Sequence, residues 1–156
     1  VLVMLYILYF GLTRWTGIHI DNRAIAIFVF TFWGTAEMAD IVRASVTSIP
    51  KIQWESGQAL GLASGQLYLY VIIPQTVRRI VPPAINLATR MVKTTALLPL
   101  IGIIEVIKVG QQMIEGSVKD YPSASFWIYG LIFFLYFIVC YPLSKLSKKL
   151  ELKWQE

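Results

Sequence analysis

Four polar residues, Asn86, Arg90, Lys93 and Thr94, recur at i, i+4, i+7 and i+8, the spacing of one stripe along a helix. They interrupt an apolar run from Ala84 to about Leu98, and a lipid-facing helix would not tolerate them. Glu37, Asp40 and Arg43 stand three residues apart on another apolar run, on a slowly drifting stripe of one face. Asp40 and Arg43 fit a simple pair in the headgroup zone, whereas Glu37 lies a turn deeper. Ionisable groups inside a span are costly and face a bundle interior or water. Their chemistry here is binding: Lys93 and Arg90 offer cations, Glu37 an anion, Thr94 and Thr95 hydroxyls. Glu37 could equally pair with Lys93 or Arg90 and touch no ligand. Covalent chemistry is not expected, because no nucleophile–base pair or metal-ligand cluster stands out. One histidine, His19, and one cysteine, Cys140, allow neither a His-rich metal site nor a disulfide. No catalytic residue, metal or cofactor is assigned.

The elements that position these residues lie in lipid. Of 156 residues, 56% are hydrophobic and 15% charged, with a mean hydropathy of +0.62. Soluble domains carry about a quarter charged residues. The fold class is therefore all-α and polytopic, with Trp15 and Trp127 near the ends of apolar runs as interfacial anchors. The net charge of +5 is scattered, so it reads as an orientation signal and not as a nucleic-acid surface.

The chain opens on thirteen uncharged residues without the basic n-region of a signal peptide, too few for the ~20 of a full span. That start is expected to be the outgoing part of a truncated helix, about 1–12. Asp21 or Asn22 can cap a helix over about 24–47, which Pro50 ends. A short helix follows at about 52–62, with Trp54 and Glu55 in its first turn and Gly61 at its end. About ten residues are marginal alone, so this helix needs a partner. A third helix runs over about 67–98, with Arg78-Arg79 at anionic headgroups. Pro99 and Gly102 then break a half-inserted piece, and residues 99–122 form an outer segment. The cleanest span, 126–146, includes eighteen uncharged residues from Phe126 to Leu143.

If the short helix is cytoplasmic, that side holds Arg43, Lys51, Arg78, Arg79, Lys145, Lys148, Lys149 and Lys153, eight against four outside. The outer four are Arg14, Arg23, Lys108 and Lys119. The C-terminus then lies inside.

Glu55, Gly61 six residues on, and Val71-Ile72-Ile73-Pro74, with proline nineteen residues after the glutamate, resemble the "EAA" signature of bacterial ATP-binding-cassette importer permeases. Ser56-Gly57 replace its Ala-Ala, Val71 its Ile and Ile73 its Leu. AEMADIVRASVTSIPKIQWESGQALGL and IIPQTVRRIVPPAINL resemble the polar amino acid subfamily, the histidine/glutamine/arginine type. VKTTALLPLIGIIEV is similar to that subfamily's Lys-Asp-(Thr/Ser)-Ser-Leu stretch, with Thr94 for Asp and Ala96 for Ser.

The resemblance implies the transmembrane domain of a type I importer, a five-helix permease core truncated at its N-terminus, with residues 1–156 as one domain. It implies a multi-pass protein of the bacterial plasma membrane. The short helix becomes the coupling helix, with Trp54, Glu55, Gly57, Ala59, Leu60 and Gly61 meeting a cytoplasmic ATP-binding subunit. A second permease subunit and an extracytoplasmic amino acid binding protein complete the implied set of partners. An amino acid is a zwitterion, which suits a site of Lys93 and Arg90 for its carboxylate and Glu37 for its ammonium. ATP hydrolysis falls to the partner, and no Walker-type phosphate loop occurs here. A secondary transporter or channel segment would share the hydropathy and broken helices but gives no reason for the Glu55 spacing. A structural membrane subunit would use the polar stripe for helix contacts.

Overall fold

Apolar runs interrupted by proline and glycine fold here as a succession of helices. The computed structural model describes residues 1–17, 20–117 and 121–155. α1 (Leu2–Tyr6) passes through a π-helical turn, Ile7–Leu12, into α2 (Thr13–Thr16). Then come α3 (Asn22–Thr47), α4 (Lys51–Ala59), α5 (Ser64–Leu67), α6 (Ile73–Thr94), α7 (Val106–Ser117) and α8 (Ala124–Gln155). A π-helical stretch, Tyr68–Ile72, leads into α6, and a 3-10 segment, Thr95–Ile101, follows it. Among the described residues there is no strand.

α3 and α8 are long and apolar enough to cross a membrane. The 26 residues of α3 reach roughly 39 Å, against a hydrocarbon core of about 30 Å. α8, with 32 residues, outruns the 126–146 span read from the sequence. Its extension persists because one face is held: Ser147 is buried, and its hydroxyl donates to the Pro82 carbonyl of α6 at 2.8 Å.

The chain divides into two compact units. One comprises Val1–Gly34 and Thr89–Pro142, the other Thr35–Ala88 and the chain from Leu143 onward. The first unit packs Leu5 of α1 against Ile25, Ala26 and Val29 of α3 and Ile101 of the 3-10 segment. That segment ends at Gly102, whose φ of 80° lets the Ile103 N–H donate back to the Leu98 carbonyl at 3.3 Å. Of the two candidate caps, Asp21 precedes α3 and Asn22 is its first residue. The Asn22 amide donates across to the Ile101 carbonyl at 3.2 Å, and the Asp21 carbonyl receives the Ile25 N–H.

α7 lies within the outer segment, residues 99–122, to which the sequence assigns no helix. Gly110 is buried in this helix, facing Ile128 and Ile132 of α8. Glu105 caps the start of α7 by accepting the Ile107 N–H at 2.9 Å, and its other oxygen faces the Tyr136 hydroxyl at 3.4 Å. A Cβ at Gly110 would overlap the Ile132 side chain, whereas Gly116 faces open space. Gly110→Leu should therefore lower stability by about 1–3 kcal/mol through overpacking. Thermal unfolding in detergent checks this, with Gly116→Ala expected to unfold no earlier than the parent; equal behaviour of the two variants would contradict the packing.

Candidate functional site

The second unit is built around the corner between α3 and α4. Pro50 has no N–H to continue α3, and the residue before it is pushed out of the helical region. The chain turns at Ser48–Ile49–Pro50, and the Pro50 carbonyl receives the Gln53 N–H at 3.0 Å to start α4. The end of α4 is a Schellman motif. Gly61 takes φ 78°, its N–H donates to the Gln58 carbonyl at 2.9 Å, and the Leu62 N–H donates to the Gly57 carbonyl at 3.2 Å. Nine residues are too few for a stable free helix, so tertiary contacts must hold α4 in place.

Those contacts come from one face. Ile49, Leu67 and Ile72 form a small core, with Trp54, Leu62 and Val71 packed against it. Trp54 meets Tyr68 edge-on at 4.9 Å between ring centroids. Gly57 is buried directly under Leu67, and a Cβ there would run into that side chain. α6 adds polar ties. Gln75 donates to the Gln53 side chain at 3.4 Å, and Arg79 Nη1 donates to the Ser48 carbonyl at 2.6 Å and to its hydroxyl at 2.8 Å.

The six coupling-helix residues picked out in the sequence thus divide. Trp54 and Gly57 point inward and seat the helix, while Glu55, Ala59, Leu60 and Gly61 are exposed. Glu55 is the fifth residue of α4, so it falls outside the first turn expected for it, and its alignment with the helix dipole weakens. Ile52, three residues before Glu55, is 64% exposed, and Leu60, the residue that caps the end of α4, is 81% exposed. Two exposed aliphatic side chains around a carboxylate make a surface suited to docking. The sequence reading missed Ile52, Gln53, Gln75 and Arg79. The Arg78-Arg79 pair was the available signal, but it resembles a lipid-binding pair; Arg79 instead ties the corner.

The polar stripe is divided differently. Glu37 is half-buried and belongs to the second unit, whereas Arg90, Lys93, Thr94 and Thr95 belong to the first. The Thr94 hydroxyl donates to the Arg90 carbonyl at 2.9 Å and that of Thr95 to the Val92 carbonyl at 2.7 Å, each keeping lone pairs to accept. The Arg90 guanidinium lies 5.9 Å from the ring centroid of Trp33, within cation–π range, a partner that sequence spacing did not reveal. Asn86, Arg90 and Lys93 are exposed while Leu87 and Thr89 are buried, so the stripe forms an outward polar face of α6. His19 and Lys119 lie outside the described residues.

A helical chain with apolar helices long enough to cross a membrane carries a short polar helix fastened by its own small core. Residues 1–149 match the family described as "Binding-protein-dependent transport system inner membrane component", and the chain belongs to that family. It is a membrane permease with the type I importer fold, and not itself an enzyme. It is 32% identical over 152 residues to the "Probable glutamine ABC transporter permease protein GlnP" of Bacillus subtilis (strain 168), covering 97% of this chain and 68% of that one. It is also 32% identical to the "Glutamine transport system permease protein GlnP" of Escherichia coli (strain K12), covering 97% and 67%. A solved structure described as "Crystal structure of an amino acid ABC transporter with histidines" aligns with a TM-score of 0.74 and 27% identity, over 97% of this chain and 68% of its own. The chain therefore spans about two thirds of the length of the proteins it matches.

Gly61→Ala tests the Schellman end of α4, because Ala at φ 78° costs about 1 kcal/mol or more. Earlier amide exchange across 57–62 is expected; unchanged protection would mean the turn does not depend on glycine.

Proposed function

We propose that this chain is the membrane-spanning permease subunit of an ABC importer for polar amino acids. ATP is hydrolysed on a separate cytoplasmic subunit that seats on the exposed face of α4. The observation that carries this reading is the construction of α4: its inward face is fixed by Trp54, Gly57 and Gln53, and its outward face presents Ile52, Glu55 and Leu60. A helix held that firmly on one side and bare on the other suits a docking lever. The amino acid class is supported by the names of the Bacillus subtilis and Escherichia coli relatives, both of which specify glutamine.

Residues 1–156 act as one multi-pass permease domain with α4 and the C-terminus cytoplasmic. The eight basic residues assigned to that side on charge all belong to the second unit, and Arg14, Arg23 and Lys108, assigned outside, belong to the first. This segregation supports the orientation. An extracytoplasmic binding protein delivers the substrate, and a second permease subunit covers the outward polar face of Asn86, Arg90 and Lys93. Arg90, Lys93, Thr94 and Thr95 line the substrate pathway, the two cations meeting the substrate carboxylate; Glu37 is a separate candidate for its ammonium.

Glu55→Lys should leave the complex assembled and hydrolysing ATP while transport falls to background in proteoliposomes. Transport at the parent rate would remove α4 as the coupling element. For the pathway, Lys93→Ala and Glu37→Gln should each weaken substrate binding to the reconstituted permease and leave binding to the soluble receptor unchanged. Parental affinity in both would reduce these residues to structural roles.

A further inference from the structure

Arg79 does something that neither its charge nor its neighbour Arg78 explains. Where α3 stops, its last carbonyls have no helical partner, and that of Ser48 lies at the negative end of the helix dipole. Arg79 Nη1 donates to this carbonyl at 2.6 Å and to the Ser48 hydroxyl at 2.8 Å. The hydroxyl in turn donates a hydrogen bond to the Ser45 carbonyl at 2.8 Å, so one guanidinium closes the final turn of α3. Gln75, four residues earlier on α6, reaches Gln53 on α4. One face of α6 thus grips both sides of the α3–α4 corner. Arg78 and Arg79 are both exposed, so the contacts with Ser48, and not burial, set Arg79 apart.

We propose that Arg79 is a positioning residue for energy coupling: its two-acceptor contact with Ser48, aided by Gln75 on Gln53, makes α4 and α6 move as one body. This rests on α4 being the docking helix. The apolar core of Ile49, Leu67 and Ile72 resists separation of the two elements but permits sliding, because dispersion contacts are non-directional. A short charge-assisted hydrogen bond to a backbone carbonyl is directional and fixes register. Displacement of α4 then drives α6, the helix that also carries Arg90 and Lys93. Without the latch α4 still binds its partner, and part of its stroke is lost as slippage.

The test uses the full complex in proteoliposomes, measuring substrate transported per ATP hydrolysed for Arg79→Gln, Arg79→Lys, Arg78→Gln and Glu55→Lys. Arg79→Gln is expected to retain its ATPase partner and hydrolysis, with transport per ATP down about tenfold, the scale of one lost charge-assisted hydrogen bond. Arg79→Lys, which keeps the charge but not the fork, falls between. Arg78→Gln removes the same charge and stays at the parental ratio, which separates the latch from lipid binding and topology. Equal ratios for Arg78→Gln and Arg79→Gln overturn the proposal, as does loss of the ATPase partner from Arg79→Gln. Should Arg79→Gln fail to insert, Arg79→Lys decides, and a parental ratio there overturns it. If Glu55→Lys uncouples and Arg79→Gln does not, only the latch fails; if Glu55→Lys stays coupled, the docking reading itself fails.

Discussion

The contact on which the rest of the structure depends is the seating of α4 against Leu67. Nine residues of mixed polarity do not hold a helix in water, and α4 keeps its shape because Gly57 lets Leu67 close on its backbone. That approach draws in Ile49 and Ile72, leaves Trp54 against Tyr68, and turns Ile52, Glu55 and Leu60 outward. A larger residue at position 57 would require Leu67 to shift within its small core. The permease signature has alanine where this chain has glycine, and here a Cβ at that position would run into the Leu67 side chain.

Much of the architecture was legible in the sequence because lipid imposes simple demands. α3 and α8 are apolar over the length a bilayer requires, and Pro50 stops a helix wherever it falls. Gly61 and Gly102 were recognisable as terminators because each takes a left-handed φ that glycine alone adopts at little cost. α7 was not legible. Gly110 and Gly116 look the same in the sequence, and only the approach of Ile132 shows that the first serves packing.

The site was legible in part for a related reason. Helical spacing placed Asn86, Arg90 and Lys93 on one face, and that face is the exposed one. Spacing along one helix cannot show which partners come from another, so Trp33 under Arg90 and Ser48 under Arg79 were beyond reach. Glu55 shows the limit in miniature: a one-residue difference in where α4 begins moves it out of the first turn. What the sequence marked by type and interval, the fold divides into residues that hold α4 and residues that α4 presents.

The central claim is that the outer face of α4 meets an ATP-binding subunit. Single cysteines at Leu60 and, as a control, at Gly116 measure this directly through disulfide cross-linking to surface cysteines on the purified ATPase in the assembled complex. The native Cys140 is buried. A cross-link from position 60 and none from position 116 is the predicted result. Absence of any cross-link from position 60, with the complex intact, would contradict the account.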